Sequence, residues 1–357
     1  MIKSISVRNL NSRMDLDIEF NSDINLLTGK NGSSKTTLLK LIWFLNGGQI
    51  YNLLSEINFE YVELLTDKAK ATVERDLDKG NVKIQINDGQ PQTINEEELR
   101  QFNFRHPRFR KTLNEIKTIS EPTIFFPTFR RIEGGFSTGR ERNNDPFNSN
   151  SLKMALTELS NSLSIANQRF VASISTDDLV ILVTKEYARI TEEVNKIQKN
   201  QSDSIISKIQ NRPDNMNEGE LLATIQKEIE ETEELRKSKY RPFSTLSELI
   251  QKIFQHKGIY LSNLAIGDVG SAISSEKLSA GEKQMLSFLC YNTFTKNSSI
   301  FIDEPELSLH PDWQRTLVPT LLAQGNENQF FMATHSPFIY AKYPDKEIML
   351  GDDRGDN

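Results

Sequence analysis

The sequence predicts an α/β protein built around a parallel sheet, and three stretches carry that reading. The short apolar run Ile24–Leu27 leads straight into a glycine-rich loop, G-K-N-G-S-S-K-T at Gly29–Thr36, which opens an apolar helix. A second apolar run, S-I-F-I, ends on adjacent carboxylates, Asp303 and Glu304, and a third, Gln329–Ala333, ends on T-H-S at Thr334–Ser336. Apolar runs without alternation mark strands buried on both faces, as in a parallel sheet.

Taken in chain order, Ile2–Val7 and Met14–Phe20 alternate apolar and polar residues around N-L-N-S, the pattern of a β-hairpin. After the glycine loop, Thr36–Leu45 is apolar on nearly all sides and reads as a buried helix. Several strands are expected between Ile57 and Asp88, with a K-G-N turn at Lys79–Asn81, forming an antiparallel lobe. Thr123–Phe126 reads as another strand, followed by P-T-F-R-R-I-E-G-G-F and a polar loop over Ser137–Ser151. From about Leu152 to Phe254 the pattern is helical and charged, as in Leu179–Lys199 and Glu218–Lys237, with a break at Asn211–Asn217. Apolar residues recur there at spacings of three and four, but the heptad is too short and irregular for a long coiled coil. That stretch reads as a helical insert, and strand and helix alternation resumes from Ile259. The expected division is therefore 1–135 and 258–357 as two halves of one head, with 136–257 as loop and insert.

Composition narrows the class. The 357 residues are 37% hydrophobic and 26% charged, enough apolar material for a sizeable core in a soluble chain. No uninterrupted apolar stretch reaches the ~18 residues of a spanning helix, and M-I-K-S-I-S-V-R-N alternates like a strand, not like a leader, so a cytoplasmic protein with no membrane contact is expected. The single cysteine, Cys290, excludes an intramolecular disulfide and reads as a small core residue. The four histidines have no metal-ligand spacing. A net charge of −6 makes the molecule as a whole no trap for phosphate backbones. The clusters Arg108–Lys111 and Arg130 with Arg131 read as solvated or acid-paired faces.

Four motifs carry chemistry. In Gly29–Thr36 the glycines let successive backbone N–H groups turn toward a phosphate, and the following helix aims its N-terminus at the anion. Gly29, Lys30, Asn31, Gly32, Ser33, Ser34, Lys35, Thr36 and Thr37 are the expected nucleotide cradle, with Lys35 reaching the β- and γ-phosphates and the Thr36 hydroxyl on Mg²⁺. Ser34 stands where the usual pattern has glycine, and a strongly positive φ there would strain it at the expense of nucleotide affinity. Asp303 is the expected holder of the magnesium shell and Glu304 the residue that polarises water, although D-E-P could instead cap a helix beginning near Pro305. Ser279, Ala280, Gly281 and Glu282, in L-S-A-G-E-K-Q, precede the apolar helix Met285–Cys290, where they could form a second anion site or simply a cap. His335 follows an apolar strand, at a place where an imidazole can meet a γ-phosphate.

Together G-K-N-G-S-S-K-T, L-S-A-G-E-K-Q, F-I-D-E-P-E-L-S-L-H-P and A-T-H-S resemble the ABC class of ATPases, in its soluble branch of SMC-type heads and the ATPase half of OLD-family nucleases. The resemblance covers about Met1–Arg130 and Ile259 onward. It implies an ABC-type head with a P-loop mixed sheet, an antiparallel β lobe and an inserted helical subdomain, using ATP and Mg²⁺. It further implies a head-to-tail homodimer with ATP sandwiched between the phosphate loop of one chain and Ser279–Glu282 of the other, and Leu307–His310 at the seam. The glutamine that usually follows the third strand is not evident, and Arg130 or Arg131 stands nearby. The F-F-P-T-F-R-R-I-E-G-G-F segment is similar to ATPases of bacterial anti-phage defence systems, including the ATPase component of PARIS-type systems, which works with a separate Toprim-type nuclease. About twenty residues follow His335, so any nuclease is expected on another chain.

The function expected on these grounds is an ATPase acting as a nucleotide-gated sensor or scaffold for an effector in antiviral defence. A phage protein would be its trigger, and dimers would assemble into a higher oligomer. Two alternatives stay open: a DNA-binding repair ATPase in the manner of SMC heads, and an ATP-clamped scaffold with little turnover.

Overall fold

The computed structural model describes residues 1–76, 78–101, 121–128, 131–132, 158–160, 163–164, 167–174, 176–211, 217–254 and 278–351. The chain divides into two compact units, Met1–Ile174 with Thr295–Asn357, and Ser175–Phe294. The expected clusters at Arg108–Lys111 and Arg130, the loop Ser137–Ser151 and the segment from Ile259 to Lys277 lie outside the described residues.

Among the described residues the first unit holds two six-stranded sheets. The expected hairpin is β1 (Ile2–Leu10) with β2 (Met14–Glu19), paired in antiparallel register from Ser4↔Glu19 to Leu10↔Met14. It joins β4 (Tyr61–Thr66), β5 (Lys70–Asp76), β6 (Asn81–Ile86) and β7 (Gln92–Asn95) in one antiparallel sheet of order β2-β1-β4-β5-β6-β7. Alternation of buried and exposed positions along β5 and β6 shows why those residues form strands with one face on the core.

The second sheet contains β3 (Ile24–Thr28), β8 (Thr123–Phe126), β10 (Gln168–Phe170), β12 (Ser299–Asp303), β13 (Gln329–Ala333) and β14 (Glu347–Met349). Its order is β10-β8-β12-β13-β3-β14 and every pairing is parallel. β3, β8, β12 and β13 are buried at every position, as their unbroken apolar runs predict. A small pair, β9 (Arg131–Ile132) with β11 (Ser173–Ile174), stands apart from both sheets.

β10 and β11 correct the expectation of helix from about Leu152. Three residues are too few to show a period, and Phe170 is fixed by a stacked contact with Phe125 of β8, 5.7 Å between ring centroids. Helices α1 (Lys35–Asn46) and α2 (Ile50–Glu56) share one core with both sheets, and α3 (Glu96–Gln101) follows β7. Trp43 of α1 lies 5.1 Å from the Phe125 ring and donates its indole N–H to the Thr123 hydroxyl at 3.1 Å. Phe301 and Phe331 stack across β12 and β13 at 4.8 Å.

Among the described residues the second unit is a helical hairpin plus one helix. α4 (Thr176–Gln210) and α5 (Glu218–Phe254) have 35 and 37 residues, so each is about 55 Å long. They run antiparallel: Glu193 of α4 pairs with Lys239 of α5 at 2.8 Å, and Lys208, further along α4, pairs with Glu228, earlier on α5, at 2.6 Å. This hairpin is longer than the expected segments Leu179–Lys199 and Glu218–Lys237. α6 (Ala280–Thr293) belongs to the same unit, and Phe243 of α5 meets Phe294 at 5.1 Å. Cys290 of α6 is buried as expected, and burial pushes its thiol up to about 12. Among the described residues no helix is long and apolar enough to cross a membrane.

Candidate functional site

The parallel sheet decides which residues meet. β12 pairs with β13 through Asp303↔Ala333, and β13 pairs with β3 through Ala333↔Leu27, so three strands end at one level. Their continuations are therefore neighbours: Gly29 after β3, Glu304 after β12 and His335 after β13. Residues some 270 to 300 positions apart in sequence thus line one cleft of about 420 Å³, with Asn31, Gly32, Ser33, Ser34, Lys35, Thr36, Thr37, Glu304 and His335 in its wall beside Asn11 and Arg13.

The loop after β3 closes on itself. A Cβ at Gly29, where φ is +136°, would run into the Leu350 carbonyl and the Ser33 hydroxyl, so this position requires glycine. The Lys35 ammonium donates to the carbonyls of Gly29 at 2.8 Å and Lys30 at 3.1 Å, spanning the loop from inside. Burial depresses the Lys35 pKa, while the charges of Glu304, Asp303 and Glu306 oppose that effect. Ser34 sits at φ 70° and ψ 20° as the residue capping α1. For a residue with a Cβ this left-handed conformation costs about 1–2 kcal/mol. The strain the sequence raised is thus present.

Asp303 accepts from the Thr36 hydroxyl at 3.0 and 2.9 Å and also from the Thr128 hydroxyl. It caps no helix: the next one, α7 (Pro311–Leu322), starts eight residues later with His310 as its cap, the His310 imidazole accepting from the Asp312 N–H at 3.3 Å. Glu304 follows with φ 51°, its N–H donating to the Ala333 carbonyl at 2.9 Å, so the chain turns sharply as it leaves the sheet. Burial, then the neighbouring carboxylates of Glu306 and Asp303, push the Glu304 carboxyl up to about 8, against the pull of Lys35. His335 Nε2 lies 3.6 Å from Glu304 Oε1.

Several groups absent from the sequence expectations hold this arrangement. Glu306 accepts from the His335 N–H at 2.6 Å and the Thr334 hydroxyl at 2.8 Å, tying the segment after β12 to the segment after β13. Gln314 of α7 adds a second tie, donating to the Leu309 carbonyl at 2.8 Å and accepting from the Ser336 hydroxyl at 2.6 Å. Thr128, just after β8, donates to Asp303; the contact of the missing glutamine, near which the sequence has Arg130 and Arg131, stays unassigned, and Arg130 is outside the described residues. The second glutamate of D-E-P-E was visible in the sequence, but its partners were not. Thr128 had no motif to mark it.

Ser279, Ala280, Gly281 and Glu282 belong to the second unit, where they begin α6. The Ser279 hydroxyl accepts from the Glu282 N–H at 3.3 Å and Glu282 returns a carboxylate to the Ser279 N–H at 2.6 Å, a reciprocal capping box. This stretch therefore caps α6. Leu307 is 44% exposed, available at the surface as a seam residue would have to be.

A phosphate loop, adjacent carboxylates and a histidine at the carboxyl edge of a parallel sheet, with an L-S-A-G-E helix elsewhere in the chain, define an ATPase head of the ABC class. The chain belongs to the AAA ATPase domain family, whose model matches residues 1–340. It is 31% identical over 94 residues to the Retron Vc95 probable ATPase of Vibrio cholerae serotype O1 biovar El Tor, covering 23% of this chain and 18% of that protein. It is 29% identical over 92 residues to the Retron Ec83 probable ATPase of Escherichia coli, covering 22% and 17%. The matched stretch thus spans under a fifth of either relative. Among solved structures, the Smc head domain of Pyrococcus furiosus with an extended coiled coil, bound to the C-terminal domain of ScpA, aligns over 99% of this chain and 94% of that one at 16% identity and a TM-score of 0.39.

Proposed function

We propose that the chain binds and hydrolyses ATP with Mg²⁺, and that its nucleotide state controls a separate effector, a nuclease, in antiviral defence. The observation that carries the ATPase reading is the Asp303 carboxylate held between the Thr36 and Thr128 hydroxyls, next to Lys35 and Glu304. Those donors fit Mg²⁺, which prefers hard oxygens and binds through one or two carboxylates together with substrate phosphates. Bound there, the cation supplies charge neutralisation at the β- and γ-phosphates.

The residues of the chain divide the remaining tasks. Loop N–H groups from Gly29 to Thr37 surround the phosphates and the N-terminus of α1 faces them. Lys35 leaves the Gly29 and Lys30 carbonyls to pair with phosphate oxygens, replacing two neutral acceptors by an anionic one. Glu304 orients the attacking water and accepts its proton as the ionised carboxylate, the form that a cation bound beside Asp303 favours over the raised carboxyl of the nucleotide-free chain. His335, held by Glu306 through its own N–H, meets the γ-phosphate. Ser279–Glu282 act on the nucleotide of a second copy, so the active species is a homodimer.

The defence reading is supported by similarity to the two retron ATPases and by the helical hairpin, a surface available for docking. The test has two stages. Glu304→Gln is expected to bind ATP as the wild type does and to lose hydrolysis by about a hundredfold or more, while Lys35→Ala loses nucleotide affinity. Equal turnover in wild type and Glu304→Gln would reduce the protein to an ATP clamp. Tagged Glu304→Gln protein, expressed beside its native neighbouring genes and purified in ATP and Mg²⁺, should then carry a stoichiometric second protein that the Lys35→Ala control lacks. Nucleic acid in place of that protein would favour a repair-type clamp.

A further inference from the structure

We infer that Asn11, in the turn between β1 and β2, is a positioning residue for the phosphate loop, and that it is required because position 34 is serine. Ser34 holds a left-handed backbone immediately before Lys35 and Thr36. A glycine would keep that conformation unaided. A serine tends to relax toward negative φ, and the N–H groups of the loop would turn with it.

The Ser34 hydroxyl makes no capping bond to the helix it precedes. It accepts instead from the Asn11 side-chain amide at 3.0 Å, and the same amide lies 3.5 Å from the Thr37 hydroxyl. Asn11 is itself fixed. Its backbone has φ 52°, a conformation asparagine tolerates better than most residues, and its N–H donates to the Asn58 carbonyl at 2.8 Å. On either side, the Asn58 amide donates to the Ser12 hydroxyl at 3.1 Å and the Asn9 amide to Glu60 at 2.6 Å. The amide that steadies Ser34 is therefore anchored in the antiparallel sheet, outside the loop it serves.

This proposal rests on the nucleotide-binding reading above. Its experiment is a double-mutant cycle on the dissociation constant for ATP with Mg²⁺, measured by calorimetry, with melting temperatures recorded alongside. Asn11→Gly is the informative variant, because glycine keeps the positive φ of the turn and removes only the amide. One lost hydrogen bond predicts affinity weakened about three- to tenfold. Ser34→Gly is expected to bind at least as tightly as wild type, and Asn11→Gly in that background to stay within about twofold of it. The nucleotide-free melting temperature should rise with Ser34→Gly as the left-handed strain is relieved, and the loss of affinity in Asn11→Gly should disappear in the Ser34→Gly background even where its melting-temperature change persists, which separates positioning of the loop from support of the fold. The same loss in both backgrounds, or no loss in either, overturns the proposal. A wild type that binds nucleotide no better than Lys35→Ala overturns the underlying reading, and this inference with it.

Discussion

The carboxyl edge of the parallel sheet and the helical hairpin are built from opposite materials. β12 and β13 are buried at every position, with Phe301 and Phe331 stacked on one another, and Trp43 of α1 packs on Phe125 of the neighbouring β8. In the hairpin, Ile181, Ile206, Ile209 and Leu222 are all at least half exposed, and many of its contacts are ion pairs within one helix, such as Arg189 with Glu193 and Lys237 with Glu234. Exposed pairs of that kind contribute little, whereas each fully buried aromatic contributes about 1.5–3 kcal/mol. The difference separates rigidity from reach: the residues at the sheet edge are held by buried packing on neighbouring strands, while the hairpin is held to a large extent by exposed ion pairs, the kind of structure with low local stability.

The strongest way to break this comparison is to cut into each region. Phe331→Ala, at a position with no exposed surface, is expected to cost about 3–5 kcal/mol of stability, read from chemical denaturation. Leu222→Gln, at a position 66% exposed, is expected to stay within about 0.5 kcal/mol. Similar costs at the two positions would mean that the hairpin carries hidden packing.

A second prediction concerns charge at the sheet edge. Glu304 moves from an ordinary 4.5 in the unfolded chain to about 8 in the folded one. Its contribution to stability is fully present below the unfolded value and is lost as pH rises through about 8, because the unfolded chain releases its proton first. The nucleotide-free wild type should lose melting temperature across that window, and Glu304→Gln should flatten the profile. An unchanged slope would place the titration elsewhere.

The smallest expected effect sharpens the role of the ties around His335. Gln314→Leu removes the donor to the Leu309 carbonyl and the acceptor for Ser336, at about 1 kcal/mol, and leaves Glu306 to hold Thr334 and His335 alone. ATP turnover should fall less than in Glu306→Ala, which removes both bonds after β13. The reverse ranking would make α7, not Glu306, the main support of that segment.

The sequence made the sheet edge legible because its chemistry is compact. Gly29–Thr36, Asp303 with Glu304, and Thr334–Ser336 each fit within a few residues and follow an unbroken apolar strand. What stayed hidden depends on contacts between distant segments. Asn11 acts through Ser34, Thr128 through Asp303, and Glu306 through His335, and none of those pairs has a local signature. The extent of the hairpin was hidden for another reason. A helix stabilised by charged pairs on an exposed face shows little apolar period, so its outer turns look like polar linker. α2 was missed as well; it is only seven residues long.

The place of β3 in the sheet has a consequence for how the protein is made. β3 carries the phosphate loop, yet its neighbours are β13 and β14, and Asn25 meets Phe330 across 305 residues of chain. At the usual ~5–20 residues per second, β3 waits roughly 15–60 s on the ribosome for its first partner. Through that interval I-N-L-L-T is an unpaired apolar edge. The loop is thus synthesised some 300 residues before the strand that pairs with β3. A nascent chain stalled before Gln329 would display the whole loop motif without the neighbouring strand that sets its register.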